Sequence, residues 1–298
     1  MDFDQLHIFL EIVRLGSFSR AAESCFRSQP AVSAQIRQLE DELGTRLFDR
    51  VASRVALTGA GKRFSEYARE MLDLRRRALQ EMGEMGRVPR GELVIGANEA
   101  TCLYILPGVF AEFKKSYSEV QVNILRTHGS AVVQRVLENE LDFGISQLPI
   151  QDRRLERVVI HSDEICLLVP AGHPLARSSG VEAEALGPYP LLLPKGGRTR
   201  SLLDEYLLPV REQAQISMEL ESSEMLKRFV QAGLGISFLA RTYAQAEVKA
   251  GSLKLISLKG RPSIQLALVY RKDKPLSRAA LAFIEVATRH TAAKVPAG

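Results

Sequence analysis

Between Thr58 and Gly86 the chain carries a helix too long for a compact domain to bury. Phe64, Ala68, Met71, Arg75, Ala78, Met82 and Met85 recur at alternating spacings of four and three, a heptad seam interrupted only by Arg75. Tyr67, Leu72 and Leu79 widen the apolar face, and Thr58 is placed to cap the first turn. At ~1.5 Å per residue the helix is about 40 Å long, so one side of it needs a partner. A matching seam from a second copy of the chain is expected, with a solvated linker as the competing reading. Gly86-Arg-Val-Pro-Arg-Gly91 then breaks the helix and reads as a hinge. Residues 59–90 are therefore expected to be a dimerisation linker, a coiled coil between a small N-terminal piece and a large C-terminal one.

The small piece, residues 1–58, is read as three helices and a hairpin. Asp4 can cap the first helix, in which Leu6, Phe9, Leu10 and Val13 form the buried stripe and Gly16 is the stop. Ser19 can cap a shorter helix over Arg20 to Phe26. Ser28 caps the next, Pro30 falls in its first turn, and Gly44 ends it. Along that helix Val32, Ile36, Leu39 and Leu43 make an apolar stripe, while Gln29, Ser33, Ala34 and Arg37 lie opposite. Leu47–Arg50 and Val55–Leu57 read as short strands around Val51–Arg54. Two helices joined by a tight turn, with amide and hydroxyl groups leading the second, is an arrangement that docks in a DNA major groove, and a basic hairpin beside it can hold phosphates.

These residues resemble the LysR-type transcriptional regulators. The resemblance is carried by Leu6, Phe9, Gly16-Ser-Phe18, Ala21-Ala22, Ser28-Gln-Pro30, Ser33, Ile36, Leu39-Glu40, Leu43-Gly44, Leu47-Phe48, Arg50 and Leu57-Thr58. It implies a winged helix-turn-helix that reads double-stranded promoter DNA. Ser28, Gln29, Pro30, Ser33, Ala34 and Arg37 would face the DNA from the helix, and Arg50, Ser53 and Arg54 from the wing. Cys25, Arg27 and Ala34 depart from the family pattern, Ala34 standing where many relatives carry arginine. The resemblance further implies a homodimer through the linker helix, a tetramer built from dimers, and RNA polymerase as a further candidate partner.

From Glu92 onward strands alternate with helices. Leu93–Ala97, Val120–Arg126 and Asp142–Ser146 are strands separated by helices at Leu106–Ser116 and Ser130–Asn139, an order that implies a parallel sheet. Strands at Arg157–His161 and Ile165–Val169 carry the chain into a second set. That set holds strands at Leu191–Leu193, Ile216–Leu220 and Ile236–Leu239, and helices near Leu202–Leu208, Glu224–Ala232 and Thr242–Lys249. Gln265–Tyr270 and a helix over Ser277–Arg289 bring the chain back. The fold class expected is an α+β multidomain protein: winged helix-turn-helix, long linker helix, and a two-lobed α/β sensor domain like a periplasmic binding protein. Residues 91–298 would form that effector-binding domain, with lobe I about 91–163 and 266–298 and lobe II about 164–265.

In such a domain ligands sit between lobes, at strand ends and helix N-termini. The matching positions are Asn98, Ala100, Thr101, Thr127, Ser130, Gln147, Lys195, Arg198, Thr199 and Ser222. Lys195, Arg198 and Arg200 add positive charge, and the chain has no tryptophan to stack on a large aromatic ligand. A small anionic effector is expected, with no cofactor.

Net charge alone does not point to DNA. The chain carries +5, but residues 1–58 hold 7 basic and 8 acidic side chains, a net of −1, so the case rests on placement. The 5 histidines show no metal-ligand spacing and the 3 cysteines are widely separated, so neither a metal site nor a disulfide framework is expected. Gly59-Ala-Gly-Lys62 is half a phosphate loop, with Ala56 and Arg63 where glycine and Ser/Thr are required. No secretory signal or membrane-spanning run is found, and a cytoplasmic protein is expected. An enzyme or solute-binding protein on the same two-lobed fold is the competing reading. The first offers no recognisable nucleophile or acid–base pair, the second no export signal, and neither explains residues 1–58.

Overall fold

Asp2, not Asp4, caps α1 (Phe3–Leu15): its Oδ1 accepts from Gln5 N at 2.8 Å and Gln5 Oε1 accepts from Asp2 N at 2.9 Å. Asp4 instead pairs with Arg27 at 2.9 Å. Helix α2 (Phe18–Ser24) is capped by Ser17 rather than Ser19, and its Ala21 and Ala22 are buried. Helix α3 (Gln29–Leu43) starts at its Ser28 cap with Pro30 in the first turn and stops at Gly44, whose φ of +65° is left-handed. Val32, Ile36 and Leu39 are buried as expected, whereas Leu43 lies at the exposed end of the stripe. Strands β1 (Phe48–Val51) and β2 (Arg54–Leu57) form the antiparallel hairpin. Helix α4 (Gly59–Gly83) begins where Thr58 Oγ1 accepts from Gly61 N at 2.9 Å.

This computed structural model describes residues 1–51, 54–83, 89 and 91–292. The expected wing residue Ser53, seam residue Met85 and hinge residues 86–88 and 90 lie outside the described residues. The chain divides into two compact units, one of Met1–Val88 with Glu138–Glu140 and a larger one of Pro89–Leu137 with Leu141–Gly298.

In the first unit Phe9 is the hub, its ring centroid 5.2 Å from that of Phe48 and 5.1 Å from that of Phe64. Gly61 is required at the start of α4: a Cβ there would stand 2.0 Å from the Leu47 carbonyl oxygen. That close approach explains a glycine which the sequence offered as half a phosphate loop. Helix α4 has two apolar faces. Phe64 and Ala68 are buried against the unit's own core with Met71 and Leu72 beside them, while Tyr67, Leu74, Leu79 and Met82 are exposed. The expected seam is corrected accordingly, since its first two members are occupied within the protomer.

In the larger unit β3 (Gly91–Ala97) pairs in parallel with β4 (Val120–Arg126) and β5 (Phe143–Gln147), linked by α5 (Leu106–Ser116) and α6 (Gly129–Leu137). Ahead of α5, Thr101–Ile105 winds as a π-helical turn. Beyond β5, β6 (Leu155–Pro170) is one strand of 16 residues where two were expected. The polar stretch Ser162-Asp-Glu164 reads as a break in the sequence but is satisfied inside the strand. Asp163 accepts from Thr242 N at 2.8 Å and Glu164 from Arg241 at 2.7 Å.

Strand β7 (Pro190–Pro194), α7 (Gly197–Tyr206), β8 (Gln215–Leu220), α8 (Ser223–Gln231), β9 (Ile236–Ala240) and α9 (Gln245–Lys249) form the second α/β set, β7 running parallel to β8 and β9. Helix α7 starts ahead of the expected span, and Arg241–Ala244 is a 3-10 turn rather than the start of a helix. Strand β10 (Leu253–Ser257), unforeseen in the sequence, pairs antiparallel with β6. Strand β11 (Ser263–Arg271) returns antiparallel to β6 and β5 before the closing helix α10 (Arg278–Ala292). The sheet runs β4-β3-β5-β11-β6-β9-β7-β8, with β10 also on β6. One apolar cluster, including Leu93, Phe113, Leu191, Phe238 and Phe283, runs through both halves.

Candidate nucleic-acid interface and effector cleft

Polar side chains cover the open face of α3. Gln29, Pro30, Ala34 and Arg37 are exposed and Ser33 is half-buried. Ser28 Oγ is taken up in capping, accepting from Ala31 N at 3.4 Å, and Arg37 Nε donates to the Ser33 carbonyl at 3.3 Å. The helix N-terminus adds a partial positive charge at its leading end. The acidic groups that gave residues 1–58 their negative balance are largely spoken for. Asp4 pairs with Arg27, and Glu11 holds Arg14, whose hydrogen bond keeps that carboxyl below its usual range against the opposing effect of burial.

Glu40 is a positioning residue to which sequence reasoning gave no role. Its Oε1 accepts from Leu47 N at 2.7 Å and Phe48 N at 3.3 Å, tying the start of the hairpin to the last turns of α3. An acid seven residues before a strand gives no periodic signal, so only the folded geometry reveals it. The hairpin places Arg50 opposite Val55 and Arg54 opposite Val51.

In the larger unit the C-terminal ends of β3, β4 and β5 converge, with β3 central. Thr127 N donates to the Ala97 carbonyl at 2.9 Å, and Ser146 Oγ to the Gly129 carbonyl at 3.5 Å. The second α/β set presents the ends of β7 and β8, where Lys195 N donates to the Leu220 carbonyl at 2.9 Å. The two edges touch. Thr199 Oγ1 donates to Gln147 Oε1 at 3.3 Å, and Arg198 to the Pro149 carbonyl at 2.6 Å.

The expected cleft residues divide by what they do. Asn98 and Ser222 are caps: Asn98 Oδ1 accepts from Thr101 N at 2.8 Å, and Ser222 Oγ from Glu224 N at 3.2 Å. Lys195 is paired with Glu221 at 3.0 Å, and Arg200 with Asp204 at 2.7 Å, so two of the three expected cations are neutralised locally. Ala100 is buried, Ser130 is exposed on the first turn of α6, and Thr127 is half-buried. Thr101 is fully buried and its hydroxyl makes no hydrogen bond of good geometry. It lies against Tyr243, whose phenol burial pushes far up, Asp163 adding to the rise and Thr101 opposing it.

Helix α7, like α5 and α9, starts without a side-chain cap. Its N-cap is Gly196, and Gly197 has φ +84°. First-turn N–H groups left without a side-chain acceptor are an anion site in waiting. Among the described residues no group of three or more His, Cys, Asp or Glu side chains is placed to hold a metal ion, and no helix is long and apolar enough to cross a membrane.

A helix-turn-helix with a hairpin wing, followed by a long helix and a two-lobed α/β domain, defines a DNA-binding regulator that carries its own sensor. Residues 3–62 match the bacterial regulatory helix-turn-helix model of the lysR family, and residues 86–292 match the LysR substrate binding domain. The chain is 31% identical over 283 residues to the RuBisCO operon transcriptional regulator of Allochromatium vinosum, covering 94% of this chain and 93% of that protein. A cysteine-to-aspartate variant of full-length OxyR from Pseudomonas aeruginosa shares the fold with a TM-score of 0.71 at 24% identity, over 97% of this chain and 98% of that one. CbnR in complex with its target DNA gives 0.68 at 23% identity, over 97% of this chain and 100% of that one.

The chain belongs to the LysR family of transcriptional regulators. It is a DNA-binding transcription regulator with an effector-sensing C-terminal domain, and DNA binding and oligomerisation are typical of this family.

Proposed function

We propose that α3 reads base edges through Gln29, Ser33 and Arg37, with Pro30 and Ala34 close enough to the groove floor for apolar contact. Arg50, Ser53 and Arg54 of the wing region hold phosphates. The observation that supports this is the exposed polar face of α3, set between a pinned turn and a wing held by Glu40. Gln29→Ala should relax base preference by roughly 1–3 kcal/mol at one position, since glutamine suits a bidentate contact with adenine. Arg54→Ala should weaken all duplexes alike and reduce the salt slope by about one unit. A binding selection on random-sequence DNA, repeated at several salt concentrations, distinguishes the two. If Arg54 sets base preference and Gln29 does not, the assignment is wrong.

The effector is a small anion held at the cleft where Thr199 meets Gln147. The uncapped start of α7 and Arg198 supply the positive field, and Asn98, Ala100, Thr101, Thr127, Ser130, Lys195 and Ser222 the surrounding walls. Calorimetry on the full chain with inorganic phosphate, sulfate and short dicarboxylates tests this. Thr101→Ala and Thr199→Ala should each weaken binding with DNA affinity nearly unchanged, and full-affinity binding by the double variant would place the site elsewhere. The protomers pair through α4, and dimers pair again into tetramers that bend promoter DNA and present it to RNA polymerase.

A further inference from the structure

Phe26 is the most exposed large apolar side chain among the described residues, at 96% of its free surface, and it sits in the turn that leads into α3. Its φ is +53°. Left-handed backbone is natural to glycine and tolerable for asparagine, but for a bulky aromatic residue it is an outlier. The turn that imposes it is well fixed: Phe26 N donates to the Glu23 carbonyl at 3.1 Å and Arg27 N to the Ala22 carbonyl at 2.9 Å. The Arg27–Asp4 ion pair anchors the same turn to α1. Phenylalanine here is disfavoured by its own backbone and fills no core, so no packing among the described residues accounts for it.

What lies next to Phe26 is the leading end of α3, with Ser28 two residues on and Gln29 three. We infer that Phe26 is a specificity-determining residue for DNA, packing its ring against a thymine methyl at the edge of each half-site. The C5-methyl of thymine is the one apolar group the major groove displays, and an aromatic side chain is a recognised partner for it. The inference rests on the reading that the N-terminus of α3 enters the groove.

The test uses the full chain and a pool of random-sequence duplexes, with wild type, Phe26→Asn, Phe26→Leu and Gln29→Ala selected side by side. Asparagine tolerates the left-handed turn, so Phe26→Asn should melt at the same temperature as wild type or higher. Its selected sequences should lose one thymine per half-site and keep the positions that Gln29 governs, while Phe26→Leu should retain the thymine. Replacing that thymine by deoxyuracil in the wild-type consensus should weaken wild type about fourfold, the worth of one buried methyl, and leave Phe26→Asn unaffected.

Unchanged selection by Phe26→Asn overturns the inference, and so does a uniform weakening across all sequences, which would make Phe26 a backbone contact. Altered self-association in sedimentation with an unchanged consensus also overturns it, assigning Phe26 to a protein contact. If Gln29→Ala is silent as well, the groove reading of α3 fails with it; if Gln29→Ala relaxes the consensus and Phe26→Asn does not, only this inference falls.

Discussion

Asp163 shows how one side chain can be both out of pattern and well placed. Burial opposes its ionisation, but the His161 ring and the Thr242 N–H and hydroxyl outweigh that and hold its pKa below the ordinary 3.8. A carboxyl with a lowered folded pKa contributes stability that is complete above its unfolded pKa and disappears as pH falls through the folded one. Asp163→Asn should therefore be destabilised by roughly 1.5 kcal/mol at pH 7, the worth of a charge-assisted hydrogen bond. The gap between the two proteins should close as the pH drops below 3.8, as urea melts across that range would show. A gap that stayed constant throughout the acid range would mean that packing, not charge, is what the residue supplies. Cys166 is the opposite case: burial, with Glu164 and Asp163 adding to it, pushes its thiol up to about 12. It is a buried apolar residue in effect, as a cysteine without a spaced partner is expected to be.

At the scale of the element, caps and stripes were legible and faces were not. Ser28, Pro30 and Gly44 bound α3 where the sequence places them, because each has a local chemistry that needs no partner. Asp2 and Asp4 can both cap by residue type, and only the reciprocal bond with Gln5 decides for Asp2. The sequence does not separate the two faces of α4, because a helix with apolar residues on both satisfies a heptad either way. Which face is spent internally depends on Phe9 and Phe48, far off in sequence. The pairings among the expected cleft positions were not legible in the sequence, since Lys195 finds Glu221 only once β7 and β8 are side by side. The exposed stripe of α4 leads to a prediction with little ambiguity about folding. Leu74 is exposed in the protomer, so Leu74→Asp should leave the fold of the protomer and its helicity unchanged. Buried in a dimer it would cost ~3 kcal/mol, about a hundredfold in the dimer dissociation constant. Analytical ultracentrifugation reads it directly, and a variant that stays dimeric at micromolar concentration would place the contact on another face.

At the scale of the molecule, β6 is the feature from which most follows. Its first residues pair with β11 and its last with β9 and β10, so a single strand is a member of both α/β sets. The apolar cluster behind it is likewise continuous from Leu93 to Phe238. Neither set can lose its order without removing the hydrogen-bond partners of the other, which is the condition for cooperative unfolding. The larger unit should melt in one calorimetric transition, with van't Hoff and calorimetric enthalpies equal, and hydrogen exchange in β3 and β7 should slow to a common opening free energy. Two resolved transitions would show that the lobes are independent. Because β6 belongs to both sets, a ligand that steadies either one raises the melting temperature of the whole unit.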